Sequence, residues 1–415
     1  MTRAEVLAAI DETDADGALA PGWDTSAAAY SPDRLRFLMP EVWRASRAWC
    51  GLDAGLDPGL NAVASRVRSA PALTRLAWHY YWRTYEDENR NFQPGPRLER
   101  ALGHDAGLFY VLVALDWVPR LRAWHRSLGI PEAITRNTAR QIGGYLDNYR
   151  RAHGGKPGLF TSQLGWLRNY LLHRYVRVGR FEFWARRFDG EVEVFRETRT
   201  GATVALAAAG IPVDAKGYRT GGDAAAPAGW TTAFERTAAA VTGNPVSPRG
   251  RILRRGVTLR LDGWRRLLGR DDPYLDMHIP SGGGMSLEVA LASFREGIEF
   301  FQRHFPADAP AAIVCKSWVF GPQAEEVLPP DSNLVRLARE VYLYPNPWID
   351  RALWFVFLQP TFDPATAPRD TSLQRALHAF LSKGGLWRSG NMFVLAADVE
   401  RLGNQLYRAN CPFDA

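Results

Sequence analysis

The spacing of apolar residues divides the chain into two parts with different periods. From Pro32 to about Tyr175, apolar positions recur with the spacing of amphipathic helices, a period of about 3.6 residues. This pattern predicts an all-helical N-terminal domain over residues 32–175. Residues 1–31 are rich in Ala, Asp and Gly, and we expect them to form a partly flexible N-terminal segment.

Beyond residue 176 the pattern changes to short β-prone runs. Residues 180–188 and 191–197 are rich in aromatic and β-branched side chains, and they flank Asp189-Gly190. An Asp-Gly pair between two such runs is typical of a tight hairpin turn, so the sequence predicts a β-hairpin here. Residues 207–250 are rich in Ala, Gly and Thr, which favours a long loop or an insertion.

After about Leu253 the pattern predicts alternating strands and helices, so we assign residues 176–415 to a mixed α/β domain. A strand over 274–279 leads through a glycine-rich loop and a helix capped by Ser286 to a second strand over 311–318. Because a helix connects these two strands, we expect them to be parallel neighbours. The remaining predicted elements are a helix ending at 341, a third strand over 352–358, a helix over 371–381 and a last strand within 386–396.

Composition narrows the class of protein. The chain is 46% hydrophobic and 23% charged, as in soluble globular proteins, and no apolar run approaches the roughly 18 residues of a membrane span. Its three cysteines are far apart and odd in number, and the acidic N-terminus does not resemble a secretory signal, so we expect a reducing cytoplasm. The net charge of +7 favours an anionic partner without choosing among a phosphorylated cofactor, an acidic protein and nucleic acid.

The common catalytic signatures do not occur in the sequence. It has no Gly-Lys-Ser/Thr phosphate loop, no Gly-x-Gly-x-x-Gly, no His-Glu-x-x-His and no Gly-x-Ser-x-Gly. This argues against a nucleotide hydrolase, a zinc protease and a common serine hydrolase. We also expect no metal site, and nucleic-acid binding has no dedicated signal.

The loop between the two parallel strands is the first candidate site. Its residues Ser281, Gly282, Gly283 and Gly284 would let backbone N–H groups approach an anion at the start of the next helix. A tight turn without a ligand explains the same glycines equally well. Glu288 in the first helical turn would partly repel a phosphate.

The strands themselves carry the second candidate site. His278 on one strand and Cys315 on the next allow a Cys–His pair, whereas Cys315 also suits a small buried hydrophobe and His278 a structural histidine. Alternation groups His278 with Asp276 and Cys315 with Ser317, but it leaves open whether the two groups share a face. Arg388 belongs to a third, polar cluster that also includes Ser317, and it would hold an anionic group or remain solvated.

Several separate motifs resemble those of the bacterial two-domain N-acyltransferase family, which joins a helical N-terminal domain to a GNAT-like C-terminal domain. The resemblance covers most of the chain, from about Pro32 to Leu395. The motifs that carry it are Gly107–Leu112, Pro119–Arg122, Gly129–Glu132, Leu275–Pro280, Val314–Trp318, Leu328–Asn333 and Asp370–Ala376.

This resemblance implies an acyl thioester donor, usually acyl-CoA, that lies between two splayed parallel strands and reacts directly with an amine acceptor. Residues 281–286 would take the place of the pyrophosphate-binding loop. The chain departs from the family there, because Ser281 replaces a basic or amide residue and Glu288 adds a negative charge, and again at Lys316, where the family has His. Either other arginines supply the charge, or the thioester is carried by an acidic acyl carrier protein.

The expected mechanism is direct attack of the amine, of a small molecule or a peptide, on a carbonyl polarised by backbone N–H groups. His278 is the expected general base, with Asp276 orienting it if their side chains are close. An acyl-enzyme relay through Cys315 is the alternative chemistry. A non-catalytic acyl- or peptide-binding protein on a degenerate GNAT-like fold, or a structural partner protein, is the alternative function.

Overall fold

The structure, a computed structural model, describes residues 1–14, 17–87, 95–172, 175–220, 229–350 and 353–413. Contacts divide the chain into two compact units. Unit 1 comprises Met1–Arg177 together with Pro280–Gly282, and unit 2 comprises Val178–Ile279 together with Gly283–Ala415. The predicted order, a helical part followed by a mixed α/β part, is confirmed.

Unit 1 consists of helices that pack around large apolar side chains. All eight residues of the helix Leu108–Leu115 are buried. Proline stands in the first turn of three helices, where its fixed φ suits the helix and no hydrogen bond is lost. The α-helices described in unit 1 are α1 Arg3–Ala9, α2 Trp23–Ala28, α3 Pro40–Trp49, α4 Asp57–Ser69, α5 Pro71–Tyr85, α6 Glu99–Leu102, α7 Leu108–Leu115, α8 Trp117–Ser127, α9 Glu132–Ala139, α10 Gln141–Ala152 and α11 Thr161–Leu172.

Within the described ranges, no single helix has the length and hydrophobicity needed to cross a membrane. Two consecutive helical segments, Glu99–Asp105 and Leu108–Ser127, satisfy these criteria only when they are counted together. The chain bends by 79° between them.

Unit 2 is built on two larger sheets and two small ones. The six-stranded sheet has the order β1-β2-β13-β14-β16-β15, and the five-stranded sheet has the order β10-β9-β4-β3-β12. The small sheets are β11-β8-β7 and β5-β6. The strands are β1 Val176–Val178, β2 Phe181–Arg187, β3 Val192–Glu197, β4 Thr203–Ala207, β5 Pro212–Val213, β6 Trp230–Thr231, β7 Phe234–Arg236, β8 Ala240–Gly243, β9 Pro245–Ser247, β10 Arg251–Ile252, β11 Val257–Arg260, β12 Trp264–Leu268, β13 Pro273–His278, β14 Ala312–Ser317, β15 Tyr342–Ile349 and β16 Arg388–Leu395.

Three of the helices that the structure describes in unit 2 begin at a side-chain cap. Ser286 caps the long helix and accepts a hydrogen bond from the Val289 N–H, and Ser332 and Thr371 cap two others in the same way. The helices are α12 Leu287–His304, α13 Ala324–Val327, α14 Asn333–Glu340, α15 Trp354–Phe357, α16 Ser372–Ser382 and α17 Leu406–Ala409.

The predicted hairpin around Asp189-Gly190 is wrong. β2 and β3 are both strands, but β2 pairs with β13 in the six-stranded sheet, whereas β3 pairs with β4 and β12 in the five-stranded sheet. Each strand buries its own apolar residues, Phe181 and Phe183 in one case and Val194 and Phe195 in the other. Burial in two separate sheets therefore outweighs the local turn signal, and the turn carries the chain from one sheet to the other.

Two further expectations need correction. The segment 207–250 is not a loop throughout, because its described residues include the strands β5 to β9, of which β9 joins the five-stranded sheet and the others belong to the small sheets. The predicted strand over 352–358 is also wrong in its described part, where Trp354–Phe357 forms a helical turn; Ala352 lies outside the described residues. The apolar residues of this run, Leu353, Val356 and Phe357, pack with Leu377 and Trp387 in a separate core cluster.

Candidate functional site

The central pair of strands in the six-stranded sheet parts before either strand ends. β13 and β14 run parallel and pair at Tyr274–Ala312, Leu275–Ile313 and Asp276–Val314. Beyond these pairs β13 continues to His278 and stays paired with β2, while β14 continues to Ser317 and stays paired with β16. The prediction of parallel, neighbouring strands is confirmed, and the ladder between them opens at their carboxyl ends.

The register assigns the site residues to the two faces of this sheet. Asp276 pairs with Val314, so Asp276, His278 and Lys316 share one face, here called the polar face. Cys315 lies one residue from Val314 and therefore points to the opposite face, with Ser317 and Met277. Helix α12 covers this opposite face, here called the helix face, where the rings of Phe181 and Phe294 stack 5.5 Å apart and Phe183 packs on Gly297.

Cys315 is buried within the sheet, with 2% of its surface exposed. Burial raises the pKa of its thiol well above the ordinary value, and the negative charge of Asp276 raises it further. The thiolate is the nucleophilic form of cysteine, so this environment disfavours nucleophilic attack by Cys315. The register also separates Cys315 from His278, and the structure does not bring the two together as a Cys–His pair.

His278 is held as an uncharged imidazole. Burial lowers its pKa to about 4, and the nearby charge of Arg180 acts in the same direction. At neutral pH the ring therefore carries no positive charge and has a nitrogen lone pair. The same low pKa makes it a weak proton acceptor.

Asp276 forms an ion pair on the polar face. Arg186 on the neighbouring strand β2 donates from Nη1 to Asp276 Oδ2 at 2.8 Å. Burial raises the pKa of Asp276, and the hydrogen bond and charge of Arg186 partly offset that increase. The hydrogen-bond partner of Asp276 is therefore Arg186, and the main charges that shift its pKa are those of Arg186, Lys316 and Asp189.

A second ion-pair group stands beside Asp276, and the sequence analysis missed it. Lys316 Nζ pairs with Asp189 Oδ2 and lies 3.8 Å from Glu191 Oε2. Glu191 also accepts hydrogen bonds from Arg219 at 2.9 Å and from Asn391 at 3.3 Å. The sequence held no signal for this group, because the register between β13 and β14 is needed to place Lys316 with Asp276, and Asp189 was assigned to a hairpin turn.

The glycine-rich loop divides between the two units. Ser281 belongs to unit 1, where its Oγ donates to the Gly144 carbonyl at 3.3 Å. Gly282 and Gly283 have φ of +76° and +74°, a backbone region that other residues rarely adopt. Gly284 belongs to unit 2, where its carbonyl accepts a hydrogen bond from Arg180 Nε at 3.2 Å.

The sequence did not single out Arg180, because it lies about a hundred residues before the loop. It supplies a positive charge next to Gly283 and Gly284. Glu288 in that turn is paired with Arg336 at 3.3 Å, which offsets the negative charge that the sequence placed near the loop.

Ser317 and Arg388 have structural partners in unit 2. Ser317 Oγ accepts a hydrogen bond from the Val319 N–H at 3.2 Å and caps the turn that follows β14. Arg388 is 13% exposed, donates to Asp214 Oδ2 at 3.2 Å, and lies 4.8 Å from the ring of Tyr218. Arg388 is therefore engaged in holding the Asp214 turn against β16.

No group of three or more His, Cys, Asp or Glu side chains is arranged to hold a metal ion in the part of the chain that the structure describes.

Two family models match the chain. Residues 175–393 match the GNAT-like C-terminal domain, and residues 55–171 match the N-acyltransferase N-terminal domain. The first match alone spans more than half of the chain. The chain therefore belongs to the two-domain N-acyltransferase family with a GNAT-like C-terminal domain, and the family resemblance found in the sequence is confirmed. The predicted class of enzyme, an N-acyltransferase, is confirmed at the level of this family.

Solved structures of acyltransferases have the same fold. One is an acyltransferase in complex with decanoyl-CoA and teicoplanin, one is in complex with CoA and 10C-teicoplanin, and one is a mutant acyltransferase in complex with octanoyl-CoA. Each is 21% identical to this chain, covers 85% of it over 99% of its own length, and has a TM-score of 0.51. A search of curated protein sequences finds no match.

Proposed function

We propose that this N-acyltransferase transfers an acyl group from a thioester directly to an amine, in the opening between β13 and β14. The observation that carries the proposal is the end of the parallel ladder at Asp276 and Val314, with His278 and Lys316 beyond it on the polar face. Backbone groups no longer shared between the two strands would bind the thioester and polarise its carbonyl. The amine nitrogen then attacks the carbonyl carbon and the thiol leaves.

The proposed donor is acyl-CoA. The solved relatives bind decanoyl-CoA, octanoyl-CoA or CoA, and Arg180 supplies the positive charge that Ser281 does not. Phosphate groups of a CoA would lie at Gly283 and Gly284, close to Arg180 and the first turn of α12. An acyl carrier protein is the second candidate donor, because its phosphopantetheine arm presents the same thioester.

The proposed acceptor is an amine on a small molecule or a peptide. Two of the solved relatives hold teicoplanin or 10C-teicoplanin, which supports an acceptor of this kind. We also propose a cytoplasmic location, which rests on the cysteine content of the sequence.

Calorimetry tests the donor. CoA and octanoyl-CoA are titrated into the wild type and Arg180→Gln at two salt concentrations. We expect micromolar, salt-sensitive binding to the wild type and about tenfold weaker binding to Arg180→Gln, because a phosphate–arginine contact is lost. The matched control is Arg199→Gln, whose side chain is 85% exposed and which follows β3 of the five-stranded sheet, not the sheet of β13 and β14. It should bind like the wild type.

Release of free thiol in the presence of amines tests the transfer. Binding of acyl-CoA without thiol release for any amine would support the alternative, a non-catalytic acyl-binding protein. If the protein binds no CoA but turns over an acyl carrier protein thioester, the donor is the carrier protein and not acyl-CoA.

A further inference from the structure

Asp276 occupies the point at which the two central strands part. It is the last residue of β13 that pairs with β14. Its side chain lies on the polar face, and 26% of it is exposed. A molecule between the strands would therefore meet this carboxylate at the inner end of the opening.

The two oxygens of Asp276 have different surroundings. Oδ2 accepts the hydrogen bond from Arg186 Nη1 at 2.8 Å. Oδ1 accepts no hydrogen bond from any residue that the structure describes. The carboxylate is thus anchored through one oxygen, and the other is available to an incoming donor.

Arg186 is itself held in place. Its guanidinium carbon lies 4.7 Å from the centre of the Trp184 ring, and Trp184 pairs across the strands with Asp276. Stacking on an aromatic ring and a hydrogen bond to a carboxylate both restrict the orientation of a guanidinium group. Trp184, Arg186 and Asp276 therefore form a connected set on neighbouring strands.

We propose that Asp276 is the catalytic residue that accepts the proton of the attacking amine, and that Arg186 is its positioning residue. This inference rests on the proposed function and names the group that moves the proton within it. The amine nitrogen forms a bond to the thioester carbonyl carbon, and the C–S bond breaks with its electron pair leaving on sulfur. Asp276 Oδ1 accepts the proton that the nitrogen loses, and the proton then passes to the leaving thiolate.

The charges around Asp276 agree with this role. Burial raises the pKa of Asp276 above its ordinary value, whereas burial lowers the pKa of His278 to about 4, so the carboxylate gains proton affinity where the imidazole loses it. On the polar face, the titratable and charged groups around Asp276 include Arg186 and Glu182 from β2, Tyr274 and His278 from β13, Lys316 from β14, Tyr344 from β15, and Asp189 from the segment after β2. Cys315 lies on the helix face.

The test is the pH profile of kcat/KM with acyl-CoA and an amine acceptor. We expect Asp276→Asn to lower kcat by about 100-fold or more at neutral pH, since general-base catalysis contributes on that scale. Arg186→Gln should move the acid limb upward by about one pH unit, because loss of a neighbouring positive charge raises a carboxyl pKa. Arg186→Lys keeps the positive charge, so its acid limb should return most of the way to the wild-type position. If Arg186 had only a structural role, its substitution would lower kcat/KM without moving the acid limb of the pH profile.

The matched control is Arg260→Gln, which breaks an exposed Arg–Asp pair of similar length, 2.7 Å to Asp262, on β11. It should leave the profile unchanged. Binding of acyl-CoA by each variant, measured by calorimetry, verifies that the site is folded. Turnover by the wild type with an unshifted limb in Arg186→Gln, or with near wild-type kcat in Asp276→Asn, overturns this inference alone. Absence of both binding and turnover in the wild type overturns the proposed function instead.

Discussion

His278 and Cys315 lie on neighbouring strands but point to opposite faces of the six-stranded sheet. The register is the reason, because His278 stands two residues beyond the pair Asp276–Val314 and Cys315 stands only one. This difference of one residue places the Cys315 thiol and the His278 imidazole on opposite faces of the sheet. The arrangement favours direct transfer over an acyl-enzyme relay.

We expect Cys315→Ala to keep its activity. The thiol is buried on the helix face with a raised pKa, so it has no role in direct attack. Loss of its sulfur should cost about 1 kcal/mol of unfolding free energy, as for a small cavity in a core. Steady-state kinetics and urea unfolding measure the two effects. A large loss of kcat in a folded Cys315→Ala protein would support the acyl-enzyme relay through Cys315 instead.

A buried histidine in unit 1 should make stability depend on pH. His79 is 1% exposed and lies 2.8 Å from Ser26 Oγ, and burial, followed by the charge of Arg83, lowers its pKa to about 3. The unfolded chain takes up a proton as the pH falls below about 6.5, and the folded chain does not until about pH 3, so this stability is complete above 6.5 and is lost as the pH falls.

Urea unfolding at several pH values tests this. Between pH 8 and 5 the wild type should lose about 2 kcal/mol more than His79→Gln, which has no such proton to take up. His104→Gln is the control, because His104 is 70% exposed, and it should keep the wild-type slope. Parallel curves for the wild type and His79→Gln would show that His79 is protonated alike in both states.

Gly390 should tolerate no side chain. It pairs with Ser317 at the end of β14, where an added Cβ would lie 1.7 Å from the Phe320 carbonyl oxygen. Because a backbone atom cannot move aside as a side chain would, we expect Gly390→Ala to cost about 3 kcal/mol or more. Gly256→Ala, with its Cβ 3.6 Å from the Gly243 carbonyl oxygen, should unfold like the wild type. Equal urea midpoints for the two variants would refute this packing.

Two buried tyrosines on β15 allow a comparison of how much a hydroxyl group contributes to stability with and without hydrogen bonds. Tyr342 donates to the Val246 carbonyl at 2.5 Å and accepts from the Ala205 N–H at 3.2 Å, which ties the two larger sheets together. The hydroxyl of Tyr344 is equally buried but forms no hydrogen bond with a described residue. We expect Tyr342→Phe to cost about 2 kcal/mol and Tyr344→Phe to cost nothing or to stabilise. Similar unfolding free energies for both variants would contradict this.

The sequence predicted those features that depend on local signals. Ser286 caps its helix as expected, and the crossover from β13 to β14 followed from its length and apolar pattern. The hairpin at Asp189-Gly190 failed because pairing partners over eighty residues away in sequence decided where β2 belongs.

The candidate site shows the same division between local and distant information. His278, Cys315 and Asp276 are recognisable from their strands alone. Arg180 and Arg186 are not, because their contacts to Gly284 and Asp276 join residues about a hundred positions apart, and the sequence holds no local signal of such contacts.

The opening between β13 and β14 is maintained from outside. β2 holds β13 as far as His278, and β16 holds β14 as far as Ser317, each through an uninterrupted antiparallel register. A thioester that binds there as proposed would break no interstrand hydrogen bond, and its affinity would not be reduced by the cost of separating the strands. Because the two strands are already apart in the folded protein, binding of a thioester should leave their positions unchanged.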